Sequence, residues 1–219
     1  MKKILLFFVS LALLTTFGVF ANDNPDNAGE GTPKTRQEIE AALTNFRFSY
    51  VLESDWQPTW NFFQARCAEG WASSMLRDGK GKLTVVDVAG KKTYLLDPVT
   101  KTGEYAPYNS AVSYTGINNS WLFIHLSYMN DSGFKRTGKT ETVAGRKATI
   151  YTCKFGDSEG KFWIDNEFGF TLKYVQVATQ SGAYNVHGEV TEFKVGGVTV
   201  ADMVNLSEYK ITEAKKIRN

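Results

Sequence analysis

The sequence predicts a mainly β, α+β protein built on an antiparallel sheet, and three observations carry that prediction. From Phe46 the chain alternates, with Phe46, Phe48, Tyr50 and Leu52 facing one way and Arg47, Ser49 and Glu53 mostly the other, the period of a half-buried strand. The C-terminal half repeats strand and turn: Lys147 to Phe155, then Asp157 to Gly160; Lys161 to Asp165, then Asn166 to Gly169; Phe170 to Ala178, then Gln180 to Gly182; and Tyr184 to Val195, then Gly196-Gly197. Such amphipathic strands with short connections form an antiparallel meander. Only two clear helical signals stand against them, one around Ile39 and one from Trp121 to Met129.

The elements follow in chain order. Residues 1–21 have the form of a secretory signal peptide: Lys2 and Lys3 are the basic start, Ile4 to Leu14 is apolar apart from Ser10, and Val19-Phe20-Ala21 puts small residues at the cleavage offsets. Thr15, Thr16 and Gly18 weaken the apolar run, which favours cleavage after Ala21 over an uncleaved membrane anchor. The first cysteine is Cys67, so the new N-terminus has no thiol for a lipid, and no transmembrane anchor is expected after cleavage. The expected destination is the periplasm or the medium. Residues 22–31, rich in Asn, Asp and Gly, are expected to be a disordered lead-in, 32–212 a single domain, and 213–219 a polar tail.

A short helix is expected to start at Thr32-Pro33, with Pro33 in its first turn, capping-box spacing between Thr35 and Glu38, and Ile39, Ala42, Leu43 and Phe46 on one side. Trp60 to Leu76 fits either a helical stripe (Trp60, Phe63, Cys67, Trp71, Met75) or strands broken at Gly70, and strands are favoured. Leu83 to Val88 and Thr93 to Asp97, separated by Ala89-Gly90-Lys91, form a hairpin that Pro98 ends. Asn119 or Ser120 caps Trp121 to Met129, a helix so apolar that it demands burial on nearly every side.

Charge and cysteine content narrow the chemistry. The chain has 25 Lys+Arg against 23 Asp+Glu, and loss of Lys2 and Lys3 with the signal leaves the two signs equal. A nucleic-acid binder shows a clustered basic excess, so no nucleic-acid partner is expected. The two cysteines of an exported chain admit two readings. A disulfide Cys67–Cys153 would close a long loop and contribute about 4 kcal/mol; alternatively, two buried thiols lie on separate strands that never meet.

No motif establishes catalysis. Gly133-Phe134-Lys135-Arg136-Thr137-Gly138-Lys139-Thr140 matches the P-loop pattern, but an apolar helix precedes it and a turn at Ala144-Gly145 follows, so the strand-loop-helix that cradles phosphate is missing and no ATP binding is expected. No GxSxG occurs, and the two histidines are His125, in the apolar helix, and His187, close to Glu189 but without an evident nucleophile. Asp157, Glu159, Asp165 and Glu167 cluster in turns without EF-hand spacing, and Asn118, Asn130 and Asn205 begin N-x-S triplets that matter only in a eukaryotic host. The expectation is a protein with no enzymatic activity, metal or cofactor.

Several segments resemble one known group. Glu141-x-x-x-Gly145 with the strand to Tyr151, Trp163-Ile164-Asp165-x-Glu167-x-Gly169-x-x-Leu172-Lys173-Tyr174, Glu189-Val190-Thr191-Glu192-Phe193 and Tyr94-Leu95-Leu96-Asp97-Pro98 are similar to segments of the outer-membrane lipoprotein carrier (LolA/LolB-like) superfamily. The resemblance implies an open antiparallel half-barrel wrapped around a few helices on its concave face, the helices near Ile39 and Trp121. It also implies a hydrophobic ligand, a lipid or lipoprotein acyl chain, in that concavity. Phe48, Tyr50, Trp121, Phe123 and Ile124 are the expected lining residues. The rival expectation is a protein-interaction or envelope-sensing module whose concavity is filled by its own side chains.

Overall fold

The computed structural model describes residues 33–110 and 114–214; the segments expected to be signal peptide and lead-in (1–31) and most of the expected polar tail lie outside them. One open sheet of twelve strands dominates: β1 (Phe46–Ser54), β2 (Trp60–Cys67), β3 (Gly70–Arg77), β4 (Leu83–Asp87), β5 (Lys92–Asp97), β6 (Thr102–Pro107), β7 (Lys135–Val143), β8 (Arg146–Phe155), β9 (Ser158–Asp165), β10 (Thr171–Ala178), β11 (Val186–Val195) and β12 (Lys210–Glu213). Their order is β12-β6-β5-β4-β3-β2-β1-β11-β10-β9-β8-β7. The meander therefore runs in two wings, β1 to β6 and β7 to β11, joined where β1 pairs antiparallel with β11. Each neighbouring pair is antiparallel except β12, which lies parallel to β6. The architecture is the mainly β, antiparallel sheet that the alternation predicts, open as in the half-barrel that the resemblance implies.

Helices are few: α1 (Arg36–Ala42), a 3-10 helix Ser120–Ser127, α2 (Val200–Met203) and a 3-10 turn Leu206–Glu208. The capping box at α1 forms as expected, Thr35 being the N-cap and Glu38 returning to its backbone. Pro33 precedes that cap instead of sitting in the first turn, because the box fixes the start of the helix at Arg36. Asn119 caps the second helix as its spacing predicts. That segment is narrower than expected: a 3-10 helix has three residues per turn, and it buries Leu122, Phe123 and His125 while Trp121 and Ile124 are only partly covered.

Strand alternation places two cores on opposite faces of the sheet. Phe46, Phe48, Tyr50 and Leu52 point to what we call the inner face, where they meet α1, the 3-10 helix and the apolar residues of β8 to β11. On β2, Gln64 stands opposite Phe48 and Phe62 opposite Tyr50, so these also face inward. The intervening Phe63, Ala65 and Cys67 face outward and join Ala72, Val85, Tyr94 and Leu96 in a second core. Residues 198–211 cover it, through Val198, Met203 and flanking apolar residues. Asn45 fastens this strap, its amide donating to the Val198 carbonyl (3.0 Å) and accepting from the Val198 N–H (2.9 Å).

Two sequence expectations resolve here. The P-loop match is not a phosphate cradle: Lys135–Val143 is an edge strand, its register with β8 shifts between Arg136 and Thr140, and no helix follows it. Of the two cysteine readings the second holds, and the Cys67–Cys153 disulfide does not form. Cys67 and Cys153 are free, buried thiols, Cys67 in the outer core on β2 and Cys153 in the inner core on β8. Four strands (β1, β11, β10 and β9) separate them in the sheet, so the two sulfurs cannot meet.

Candidate functional site

The inner face is covered unevenly. Over β8 to β11 the protein fills its own concavity: Trp121 packs on Tyr174 with ring centroids 6.1 Å apart, Phe162 lies 4.9 Å from Tyr174, and the Arg36 guanidinium sits 4.8 Å above Phe123. Tyr50 is fully buried in the same core. Over β2 to β5 the cover stops short. There the segment 114–119 crosses the sheet and is pinned from both sides. Gln64 Nε2 donates to the Gly116 carbonyl (2.8 Å) and Gln64 Oε1 accepts from Asn118 N–H (3.0 Å). Arg36 donates to the Ile117 carbonyl and Glu40 accepts from the Ile117 N–H. Arg66 stacks on Tyr114 at 4.4 Å, closing that end.

Beyond this crossing, a cleft of about 450 Å³ opens on the inner face. Its floor is Phe48, Phe62 and Gln64, and its far wall Ser73, Met75 and Thr84 on β3 and β4. Asn118 and Asn119 form the edge under the 3-10 helix, and Lys82 stands at the rim. Met75 is 57 % exposed, and Leu95, on the same face through the pairing of Thr84 with Leu95, is 51 % exposed.

Of the expected lining residues, Phe48 alone reaches this cleft. Tyr50 and Phe123 are interior core, and Trp121 and Ile124 pack against that core as partial cover. The rest of the lining escaped sequence reasoning because Trp60 to Leu76 also fits a helical stripe. Only the β2–β3 register, with Phe62 opposite Met75 and Gln64 opposite Ser73, assembles it.

The other candidate groups are engaged structurally. His125 is fully buried, its Nδ1 lies 2.8 Å from Thr171 Oγ1, and burial pushes its pKa down to about 3 against a partial offset from the Lys34 backbone. His187 forms a cross-strand cluster with Glu189 (3.0 Å) and Glu53 (3.6 Å), with Lys173 on Glu189 at 2.8 Å. Three of the four turn carboxylates are paired with cations: Asp165 and Glu167 with Arg146, Glu159 with Lys154. Among the described residues no three His, Cys, Asp or Glu side chains are grouped to hold a metal ion, and no helix is long and apolar enough to cross a membrane.

No protein-family model and no curated protein matches the chain. Some solved structures align weakly over most of the chain. An uncharacterized conserved protein from Thermus thermophilus aligns with a TM-score of 0.37 and 12 % identity, over 81 % of this chain and 96 % of that one. PNGF-II aligns with a TM-score of 0.31 and 10 % identity, over 78 % of this chain but 32 % of its own. A LolA superfamily protein from Nitrosomonas europaea aligns with a TM-score of 0.28 and 7 % identity, over 78 % and 98 %. Likenesses this distant assign neither a family nor a function.

Proposed function

We propose that the protein is an exported, non-enzymatic binder of a hydrophobic ligand, a lipid or an acyl chain, held in the inner-face cleft between β2 to β4 and the segment 114–119. One observation carries this reading: Phe48, Phe62 and Met75 stand at a cleft of about 450 Å³ that the side chains of the described residues leave open, beside the buried core of the inner face. That volume lies in the range of small-molecule sites, and the lining is mixed: Phe48, Phe62, Phe63 and Met75 beside seven polar residues. Export to the periplasm or medium rests on the signal-like first 21 residues.

The rival reading, a protein-interaction or sensing module, draws support from the self-filled core around Trp121 and Phe123. Two measurements separate them. Mass spectrometry of organic extracts from natively purified protein should reveal a co-purifying lipid. An environment-sensitive apolar fluorophore should bind the delipidated protein near micromolar affinity, and Ser73→Trp, which fills the cleft from its wall, should abolish that binding. A delipidated protein that binds no probe would discard the ligand reading in favour of the interaction module.

A further inference from the structure

We infer that a second site, apart from the inner-face cleft, takes an organic cation with an apolar stem, of the arginine side-chain type, in a hollow where β1, β10 and β11 meet. The hollow measures about 370 Å³, and its lining includes Glu53, Asp55, Val175, Val177, Asn185 and His187. Register sets Glu53 opposite His187 and His187 opposite Val175, and alternation turns these away from Leu52, Gly188 and Tyr174, so they stand on the face opposite the cleft. Two exposed aromatic rings adjoin the hollow. Trp56 and Tyr184 follow Asp55 and precede Asn185, are 56 % and 51 % exposed, and have ring centroids 5.4 Å apart. The loops that carry them are tied together: Asp55 accepts from the Asn185 N–H (3.2 Å) and Nδ2 (3.0 Å), Asn185 Oδ1 accepts from the Ala178 N–H (3.0 Å), and the Trp56 N–H donates to Ser54 Oγ (3.2 Å). The rings are thus held at the surface, where their faces can meet a ligand.

Charge selects the ligand. No Lys or Arg lines the hollow, and Lys173, on the same face, is engaged by Glu189 at 2.8 Å. Asp55 is held by the neutral amides of Asn185 and pairs with no cation among the described residues. The Glu53 side chain is 59 % exposed and makes no hydrogen bond among the described residues; its nearest partner is His187 Nδ1 at 3.6 Å, while His187 Nε2 lies closer to Glu189, at 3.0 Å. Glu53 is therefore reachable and has acceptor capacity to give. A positive head suits Glu53 and Asp55, an aliphatic stem suits Val175 and the exposed Val177, and ring faces attract a cation. The guanidinium combines these properties: it is weakly hydrated, donates two parallel N–H groups to a carboxylate and stacks on aromatic rings. An anion has the wrong sign, and a neutral apolar ligand would cover Glu53 without replacing its water.

The test titrates N-acetyl-arginine amide, and its neutral isostere N-acetyl-citrulline amide, into the protein while the amide and indole resonances are followed by NMR. The arginine compound should shift the Trp56 indole and the Val177 amide in a saturable way and bind at least fivefold more tightly than the citrulline compound. Glu53→Gln should weaken it at least threefold, and Val177→Lys, which puts a competing cation on the exposed wall, should abolish binding; the second variant carries the test if the first does not fold by circular dichroism. A five-residue peptide with arginine at its centre and alanine on either side separates the two sources of such a group. Tighter binding of the peptide assigns the site to a segment of a partner protein, and equal binding to a free small molecule. Equal binding of the arginine and citrulline compounds, no saturable shift at tens of millimolar, or an affinity unchanged in both variants overturns the inference. The apolar fluorophore should bind the two variants as it binds the parent, so the inner-face reading stands or falls separately.

Discussion

Gly188→Ala should destabilise the protein, although glycine to alanine in a strand is ordinarily favourable. Gly188 stands opposite Leu52 on β1 and Tyr174 on β10, and a Cβ built there would lie 2.0 Å from the Tyr50 hydroxyl oxygen and 2.8 Å from Cζ. The Gly188 backbone is outside the left-handed region, so an L side chain meets no conformational penalty and the whole effect is steric. Tyr50 cannot swing aside, being fully buried and packed edge-on against Phe62. Overpacking of this kind costs about 1–3 kcal/mol, and at about 2–4 °C per kcal/mol for a domain of this size the melting temperature should fall by roughly 2–12 °C. Tyr50→Phe supplies the control. The Tyr50 hydroxyl is buried without a hydrogen-bond partner among the described residues, so its removal should raise stability by about 1 kcal/mol. The double variant should recover part of the Gly188→Ala loss, since the atom at 2.0 Å is gone while Cζ remains. Thermal and urea denaturation of the four proteins measures the coupling. A Gly188→Ala protein that melts with the parent, or whose penalty Tyr50→Phe leaves untouched, would refute the packing argument.

Three further outcomes are expected. Because burial holds His125 well below the unfolded value of 6.5, the folded state resists its protonation; its contribution is fully present above pH 6.5 and lost as pH falls towards about 3, with a slope of roughly 1.4 kcal/mol per pH unit. His125→Gln should flatten the fall of the urea midpoint between about pH 6.5 and 5. Arg146→Met should cost about 3–5 kcal/mol in urea unfolding, because it strips a buried Asp165 of its ion pair and removes the cation stacked between Phe168 and Phe193. Reductant should leave the melting temperature unchanged, and a thiol reagent should count two free cysteines in the unfolded, unreduced chain.

Local chemistry made part of this fold legible. The alternation at Phe46 to Leu52, the Thr35–Glu38 box, the Asn119 cap and the β4–β5 hairpin each depend on residues a few positions apart, and each forms. Pairings across the chain left no local trace. Nothing near Phe46 announces that β1 joins β11, or that the strap after Val198 returns to cover β2 to β5. The site suffered for the same reason. The apolar character of Trp121 to Met129 showed that the segment is buried, but not that the chain itself supplies most of its cover. The cleft is instead assembled by Phe62, Ser73 and Met75, whose shared face exists only once β2 and β3 pair.

β2 is a party wall. Phe62 and Gln64 furnish one room while Phe63, Ala65 and Cys67, the residues between and beside them, furnish the other. A slip of one residue would exchange the occupants of both rooms at once, so the strand is held in place twice over. The floor of the cleft is thereby mounted on a beam rather than on a loop, and positions on a strand hold their geometry more closely than positions on loops do. The side chain at Phe62 can then be exchanged, reshaping the cleft, while the reverse side of the same strand keeps the beam still.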